Sequence, residues 1–194
     1  MKPLPKTSGL SNLTELKLTG SMKRDRFHLG EIAVNGEFGI DQGLLSRTAG
    51  RCAAVQLVSE IGDFELEGQI NAESLGGWFW LIGWKDGHGY GIYNVTLKTS
   101  GSPWFLSEFR GGVGIAETHQ EINRYEWRGM ESLRLSVIEN RLSLQVGTAS
   151  LARELELPGY HAGAIILGTY DTPYGPRNIR VQGLRYRKVD GEPD

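Results

Sequence analysis

Short segments of alternating apolar and polar residues are the main pattern of this chain. Segment 63–71 divides between two faces of an extended backbone: Phe64, Leu66 and Ile70 on one, and Glu65, Glu67, Gln69 and Asn71 on the other. Segments 133–137 and 142–146 alternate in the same way and meet at the polar turn Glu139-Asn140-Arg141. Because a period of two residues is that of a β-strand, we expect a strand at 63–71 and a hairpin at 133–146.

Glycines and turn-forming clusters separate the other apolar segments. The 27 glycines recur at short intervals, and glycine permits the backbone conformations that turns and bulges require. The further strands predicted in this way are 52–59, 78–85, 90–98, 103–110, 161–169 and 178–187. The best helical candidate, segment 115–125, is short and interrupted by polar residues. Many short strands with regular turns predict an all-β fold, either a sandwich or a barrel.

Size and charge narrow the class of protein. We expect the 194 residues to form a single domain, with residues 1–25 loosely attached and residues 189–194 a polar tail. The formal net charge of −2 does not favour a nucleic-acid partner. No apolar run approaches the length of a membrane span, and Met1 to Gly20 lacks the apolar core of a signal peptide. We therefore expect a soluble domain, whose compartment and oligomeric state the sequence leaves open.

Three motifs occur in an order that is similar to a known superfamily. Asp63-Phe-Glu-Leu-Glu-Gly-Gln-Ile is followed by Trp80-Leu-Ile-Gly-Trp84 and Gly89-Tyr-Gly-Ile-Tyr93, and Pro176-Arg-Asn-Ile-Arg-Val-Gln-Gly-Leu184 closes the chain. This order resembles the concanavalin A-like lectin/glucanase superfamily, especially its domain-of-unknown-function 1080 branch, whose members are labelled sugar hydrolases. The resemblance implies a two-sheet antiparallel β-sandwich of the jelly-roll kind, with a concave face that meets carbohydrate. The chain departs from the branch at Gly83-Trp84, where the branch often carries an arginine.

Carboxylates on the predicted strands are the catalytic candidates. Glu65 and Glu67 share the outward face of one strand, and alternation places Glu108 outward on another, opposite to Phe105 and Phe109. Two carboxyl groups that face one groove are what the hydrolysis of a glycosidic bond requires. The catalytic candidates are therefore Glu65, Glu67 and Glu108.

A second carboxylate pattern lies just before the first of these strands. Glycosidases of the superfamily carry Glu-x-Asp-x-Glu, and Glu60-Ile-Gly-Asp63 is similar to its first part. The three-residue spacing would place Glu60 and Asp63 on opposite faces of a regular strand, so that only a bulge at Gly62 would reunite them. We expect a turn there instead.

Polar and aromatic residues near these carboxylates are the ligand-binding candidates. Carboxylates, amides and guanidinium groups form the hydrogen bonds that sugar hydroxyls need, if the strands that carry them share one sheet. Indole rings stack on sugar rings, and Trp78, Trp80 and Trp84 have the same parity along one predicted strand, although a core role is the commoner one for tryptophan. The predicted ligand-binding residues are Gln69, Trp80, Trp84, His88, Asn94, Arg110 and Arg134.

Three functional hypotheses follow from these residues. The first is a carbohydrate-binding domain that recognises a glycan on the concave sheet face. The second is a glycoside hydrolase that uses a carboxylate pair on that face. The third is a structural or protein-interaction domain that docks a partner on its aromatic stripe. Carbohydrate is the expected partner, and neither nucleic acid nor a membrane is.

The sequence predicts no metal site and no cofactor. The four histidines are widely separated, and a single cysteine cannot form an internal disulfide or a cysteine-rich zinc site. Asp86 and Asp171 are the calcium candidates, but neither lies in the oxygen-rich spacing of a calcium loop. Calcium therefore has no clear motif in this chain.

Overall fold

Strands account for nearly all of the regular structure in the part of the chain that the computed structural model describes. The backbone is described for residues 14–15, 26–29, 32–35, 37–41, 44–49, 52–72, 78–94, 103–125, 129–170 and 179–189. Side chains are described for residues 56–70, 78–94, 103–125, 129–168 and 182–189. Most of the predicted loose segment 1–25 and of the tail 189–194 lies outside these ranges, as does Asp171.

Seventeen strands and one short helix are described. In chain order the strands are β1 (Thr14–Glu15), β2 (Arg26–Leu29), β3 (Ile32–Asn35), β4 (Glu37–Asp41), β5 (Leu44–Ala49), β6 (Cys52–Ile61), β7 (Phe64–Ala72), β8 (Trp78–Lys85), β9 (His88–Asn94), β10 (Pro103–Arg110), β11 (Val113–Gly114), β12 (Gln120–Arg124), β13 (Glu131–Ile138), β14 (Arg141–Val146), β15 (Ala149–Glu156), β16 (Gly163–Tyr170) and β17 (Ile179–Lys188). The helix is a single 3₁₀ turn, Ala116–Thr118, so the short segment 115–125 forms this turn and then β12.

Two antiparallel sheets form a β-sandwich. The first sheet has the order β15-β14-β13-β7-β17-β5-β4, with β1 beside β17. The second sheet has the order β11-β10-β9-β8-β16-β6, with β12 beside β10, and β2 and β3 form a separate pair. Buried side chains from both sheets join in one hydrophobic core. The predicted all-β, jelly-roll sandwich is confirmed.

The alternation that predicted the first sheet also builds its core. In β7, Phe64, Leu66 and Ile70 are buried while the polar residues between them are at least partly exposed. The predicted hairpin is β13–β14, and its turn residues Glu139 and Asn140 both have positive φ. Two left-handed residues are what a tight two-residue hairpin requires, because their twist matches that of the strands. Across β7, β13 and β14 the first sheet therefore has one apolar and one polar face.

The connection between β6 and β7 separates Glu60 from Asp63. Glu60 lies on β6 in the second sheet, and Asp63 lies in the turn that leads to β7 in the first. Glu60 pairs with Lys85 at 3.3 Å, whereas a carboxylate oxygen of Asp63 accepts a hydrogen bond from the Glu139 backbone N–H at 2.8 Å. The predicted turn is confirmed, and the two carboxylates serve different contacts.

The sequence of β8 predicts that its three tryptophans lie on one face. The structure divides them between both faces. Gly83 has a φ of +59°, and the pairing with β9 shifts between Ile82 and Lys85, which marks a β-bulge. Trp78 packs against Trp104 with ring centroids 4.7 Å apart, whereas Trp84 packs against Phe109 at 5.8 Å. Residues 104 and 109 are an odd number of positions apart on β10, so Trp78 and Trp84 lie on opposite faces of the second sheet.

Strand β10 also faces the opposite way to the prediction, in which Phe105 and Phe109 point inward. Trp104 is paired with Asn123, whose side-chain amide donates to the backbone carbonyl of Ser150 in the first sheet at 2.9 Å. Directly paired residues share a face, so the Trp104 face is the one turned toward the first sheet. Glu108 has the parity of Trp104, and both faces of β10 bury large apolar residues. Alternation alone therefore misassigns this strand.

Tyr160 links the two connections that pass between the sheets. It lies between β15 and β16, and its hydroxyl donates to the carbonyl oxygen of Gly62, between β6 and β7, at 3.1 Å. Burial, and secondarily the nearby carboxylate of Asp63, raise the pKa of the Tyr160 phenol well above its ordinary value of 10.0. The folded protein therefore keeps a proton here that the unfolded chain loses above pH 10.

This difference predicts alkaline destabilisation. Because the pKa of Tyr160 is raised by folding, its contribution to stability is complete below pH 10.0 and is lost as the pH rises toward the folded-state value. We expect Tyr160→Phe to cost about 1 kcal/mol near neutral pH and to reduce the slope of unfolding free energy against pH above 10. Urea unfolding of the wild-type protein and the variant, at a series of pH values around and above 10, measures this slope. If the slope is the same in both proteins, Tyr160 is not the titrating group. Part of the slope should persist, because burial also raises the pKa values of Tyr90 and Tyr93.

Candidate ligand-binding surface

The outer face of the first sheet gathers the polar residues of four neighbouring strands. Cross-strand pairing places Glu65 opposite Ser136, Glu67 opposite Arg134, and Gln69 opposite Ser132. Gln145 on β14 lies opposite Arg134 on its other side. Because directly paired residues point to the same face, all of these side chains project away from the core. The alternation of β7 and β13 predicted this orientation.

A β-bulge in β17 brings further residues to this face. Gln182 pairs with Gln69 and Arg185 pairs with Glu67, so two residues of β17 lie opposite Gly68. Gln182 and Arg185 are three positions apart, so in a regular strand they would point to opposite faces. The bulge places them on the same face. Gly183 supports the bulge with a φ of +59°, and Leu184 is buried beneath it. The bulge thus adds Gln182, Arg185 and Arg187 to the polar face.

The β17 bulge packs so closely on β7 that the residue opposite it, Gly68, must be a glycine. A Cβ at this position would lie 2.9 Å from the Cα of Leu184 and 3.3 Å from the carbonyl oxygen of Gly183. A side chain at Gly68 would point to the core, on the same face as Leu66 and Ile70, whereas a Cβ at Gly183 would meet nothing within 4 Å. The surface is therefore low at Gly183, between the pair Gln69–Gln182 and the pair Glu67–Arg185. The result is a groove of about 600 Å³, here called the polar groove, lined by Glu67, Gly68, Gln69, Ser132, Leu133, Arg134, Gln182, Gly183 and Arg185.

Ion pairs fix the carboxylates of this face. The Nε and Nη2 atoms of Arg185 both donate to Oε1 of Glu67, the Nε contact being 2.8 Å. The other oxygen of Glu67, Oε2, lies 3.9 Å from Nε of Arg134, which is beyond hydrogen-bond distance. Arg187 pairs with Glu65 in the same way. Glu67 is therefore held in place with one oxygen still able to accept a hydrogen bond.

Several donors of the polar groove are not used inside the protein. Gln69 and Gln182 lie side by side and are exposed, and neither amide makes a hydrogen bond to the described part of the chain. The Arg134 side chain is 63% exposed, and its 3.9 Å contact with Glu67 is its one ion pair among the described residues. Two amides and a guanidinium group thus line the same groove as the free oxygen of Glu67.

Other predicted ligand-binding residues are buried in the second sheet. Trp80 is 0% exposed and Asn94 is 3% exposed, and the amide oxygen of Asn94 accepts a hydrogen bond from the backbone N–H of Trp78 at 3.2 Å. Trp84 is partly buried against the core. Neither Trp80 nor Asn94 has a surface to offer to a ligand, and the three tryptophans of β8 form no exposed stripe for a partner protein.

The remaining candidates meet at one end of the second sheet. Glu108 and His88 line a cleft of about 340 Å³, the end cleft, together with Gly83, Lys85, Asp86, Gly89, Tyr90, Phe109, Gly159, Tyr160 and His161. Arg110 pairs with Glu108 at 2.7 Å, and this hydrogen bond raises the pKa of the arginine. Burial, and then the carboxylate of Glu108, raise the pKa of Tyr90, whose hydroxyl donates to the carbonyl of Pro158.

The predicted site residues therefore fall into two groups on different sheets. Glu65, Glu67, Gln69 and Arg134 share the polar face of the first sheet, whereas Glu108 belongs to β10 in the second. The premise that β7, β10, β13 and β14 share one sheet is wrong for β10. A carboxylate pair that combines Glu67 with Glu108 is excluded for this reason, because the sandwich core separates the two sheets.

A cluster of three polar side chains on the second sheet was not predicted. The hydroxyl groups of Tyr93 and Ser107 are 3.1 Å apart, and Nδ1 of His119 lies 2.7 Å from the first and 3.0 Å from the second. The His119 ring stacks on Phe105 with centroids 4.5 Å apart. Tyr93 and Ser107 are buried, and burial raises the pKa of Tyr93. Residues 93, 107 and 119 are far apart in sequence, and the pairing of β10 with β9 on one side and with β12 on the other brings them together.

No metal centre is found within the described residues. No group of three or more histidine, cysteine, aspartate or glutamate side chains there is arranged to hold an ion. Asp86 lies in the turn between β8 and β9, and Asp171 lies outside the described ranges. Across the same described part of the chain, no helix has the length and apolar character to cross a membrane.

Comparison with known proteins relates this architecture to solved structures. No protein-family model and no curated protein matches the sequence. The carbohydrate-binding module CBM66 from Bacillus subtilis is similar in structure, with a TM-score of 0.57 and 13% identity over 79% of this chain and 92% of that one. The exoplasmic/lumenal domain of VIP36, in its Ca²⁺/Man3GlcNAc-bound form, has a TM-score of 0.57 and 9% identity over 82% of this chain and 86% of its own. The β-glucanase of Bacillus licheniformis has a TM-score of 0.52 and 13% identity over 92% of this chain and 94% of its own.

These likenesses decide the architecture. The fold is concanavalin A-like. Sequence identities near 10% establish the fold alone, because one fold hosts many unrelated sites. Function must therefore be argued from the side chains of this chain.

Proposed function

We propose that this protein binds a carbohydrate in the polar groove of the first sheet. The observation that carries the proposal is the single groove that Gln69, Gln182 and Arg134 share with the free oxygen of Glu67, above a floor that lies low at the Gly183 bulge. Adjacent sugar hydroxyls present donors and acceptors at fixed spacing. Planar amide, carboxylate and guanidinium groups can each form two hydrogen bonds with such a pair.

The rigidity of the groove supports the same proposal. Its residues project from paired strands rather than from a loop, and Arg185 holds Glu67 in one orientation. Because Glu67 is fixed before binding, it loses little conformational entropy when a ligand arrives. The names of two structural neighbours, the module CBM66 and the Man3GlcNAc-bound domain of VIP36, refer to carbohydrate, which supports a sugar as the ligand.

Glycoside hydrolysis is the second candidate function, on the pair Glu65 and Glu67. Two residues that are two positions apart on one strand face are separated by about 6.6 Å along the strand. Inverting glycosidases hold their two carboxyl groups roughly 6.5–9.5 Å apart. However, Arg187 and Arg185 already occupy these carboxylates, so neither is placed to give a proton to a leaving group. Binding without cleavage therefore fits the geometry better.

The assignment to the domain-of-unknown-function 1080 branch stays a prediction within this proposal. It depends on the motifs at 63–70, 80–93 and 176–184, whose described parts supply strand residues of both sheets. The departure at Gly83-Trp84 coincides with the bulge in β8. The binding proposal does not depend on this branch.

A glycan screen followed by NMR mapping tests the proposed function. We expect the protein to retain at least one polysaccharide on an array, and the corresponding oligosaccharide to shift the side-chain amide signals of Gln69 and Gln182 in a ¹H–¹⁵N spectrum. The backbone amides of β7, β13 and β17 should shift with them. A screen without any binder, or shifts confined to β8, β9 and β10, would contradict the proposal. Release of shorter sugars during the titration would favour the hydrolase instead.

A further inference from the structure

The polar groove continues into a second groove across β13, β14 and β15. The lining of this arginine groove, of about 380 Å³, includes Arg134, Ser136, Ser143, Thr148, Ser150 and Arg153. Arg134 lines both grooves, so they meet at its guanidinium group. Together they form one depression across five neighbouring strands, β15, β14, β13, β7 and β17, which corresponds to roughly 19 Å across the sheet.

The charges along this depression are unbalanced. In the polar groove, one carboxylate, Glu67, faces two guanidinium groups, Arg185 and Arg134. No carboxylate lines the arginine groove. Arg153 is exposed and has no ion pair with the described residues, and the nearest acidic neighbour in sequence, Glu154, contacts Arg141 at 4.0 Å. Arg134 and Arg153 are therefore left without a full counter-charge.

The arrangement of these two arginines suits a ligand with regularly spaced charges. Arg153 lies two strands from Arg134, which corresponds to roughly 10 Å across the sheet. A single monosaccharide is too short to reach both guanidinium groups. The serine and threonine hydroxyls between them can hydrogen-bond the neutral parts of the chain. Guanidinium groups bind carboxylates and sulfates through paired N–H donors.

The net charge of the chain makes this local excess informative. The protein carries a formal charge of −2, so it has no general attraction for polyanions. Any strong retention of an acidic polysaccharide must therefore come from a local basic surface. We propose that the glycan bound here is anionic, with carboxylate or sulfate groups on at least two of its sugar units, one at Arg134 and one at Arg153. This inference deepens the proposed carbohydrate binding and rests on it.

The test compares charged and neutral polysaccharides on wild-type protein and three variants. Polygalacturonate and alginate supply carboxylates, dextran sulfate supplies sulfates, and dextran and galactomannan are neutral. The variants are Arg134→Gln, Arg153→Gln and, as a matched control, Arg124→Gln. Arg124 is an exposed arginine on β12 of the other sheet, paired with Glu121 at 2.7 Å. Retention is measured at about 50 mM and about 200 mM salt, because screening weakens exposed charge contacts over this range.

The expected result is binding to at least one anionic polysaccharide and none to the neutral ones. Arg134→Gln and Arg153→Gln should each weaken binding to the anionic polysaccharide about tenfold or more at low salt. Each should also reduce the salt dependence of this binding, while Arg124→Gln changes neither the affinity nor its salt dependence. Carboxylate and sulfate probes identify which anion is preferred. Binding to neutral polysaccharides alone would overturn this inference and leave the proposed function standing. Equal losses in all three variants would overturn the inference as non-specific attraction, and binding to no polysaccharide would remove the proposed function itself.

Discussion

Replacing Trp80 with alanine should cost about 3–5 kcal/mol of unfolding free energy, more than any replacement of an exposed residue. The Trp80 side chain is 0% exposed, and its ring packs edge-to-face against Trp78, with centroids 6.4 Å apart. Removing a fully buried ring loses its transfer free energy and leaves a cavity that a paired sheet cannot close. Guanidinium unfolding followed by circular dichroism measures the loss.

Two further variants make this prediction decisive. Trp84→Ala is the matched control on the same strand, and it should cost less because Trp84 is only partly buried. Trp80→Phe should fold even if the alanine variant does not, since the buried indole N–H of Trp80 has no acceptor among the described residues and its removal offsets part of the lost packing. Equal costs for Trp80→Ala and Trp84→Ala would show that Trp80 is not a core residue. Loss of glycan binding in a folded Trp80→Phe protein would reopen a role for this ring.

Alternation within a strand was enough to predict most of the fold. The strands at 78–85 and 103–110 have the bounds that their sequences predict, and the hairpin at 133–146 turns at the predicted residues. Glycine punctuation located the turns because positive φ is costly for other residues. Eight of the seventeen described strands were not predicted: β1 to β5, β11, β12 and β15. The longest of them is β15, Ala149–Glu156, which lacks a clean alternation; its pairing with β14 shifts twice, and Glu154 has a positive φ.

Alternation could not predict which sheet a strand joins. The pattern of β10 resembles that of β7 in its sequence, but pairing with β9 places it in the second sheet. Both faces of β8 and β10 bury large apolar residues. The polarity of their residues therefore does not indicate which face is turned toward the core. The candidate residues were therefore divided correctly within β7 and β13 but not within β8 and β10, and they were grouped incorrectly between the two sheets.

Bulges account for the remaining differences at the site. Strict alternation would separate Gln182 from Arg185 and unite Trp80 with Trp84, and bulges at Gly183 and Gly83 reverse both outcomes. A glycine inside an otherwise apolar strand is the sequence signal for such a bulge. Gln182 and Arg185 could have been found in this way, whereas the cluster of Tyr93, Ser107 and His119 required the strand order.

The second large effect is expected in the polar groove itself. The triple variant Gln69→Ala/Arg134→Ala/Gln182→Ala should weaken glycan binding at least about a hundredfold, or roughly 2.7 kcal/mol, because it removes the groove donors that make no hydrogen bond to the described part of the chain. All three side chains are exposed, so stability should change little, by about 0.5 kcal/mol or less per site. Fold integrity is checked by the unfolding curve of the variant.

The matched control replaces three exposed residues of the end cleft. Lys85→Ala/His88→Ala/His161→Ala removes the same number of polar side chains from the competing cleft on the second sheet. It should bind as the wild-type protein does, because none of these residues lines the polar groove.

Calorimetric titration tests the location of the site most directly. Both triple variants and the wild-type protein are titrated with the oligosaccharide that the glycan screen retains best. The proposed site predicts that the groove variant gives no measurable heat while the end-cleft variant keeps the wild-type affinity. Wild-type affinity in the groove variant, with binding lost in the end-cleft variant, would contradict it.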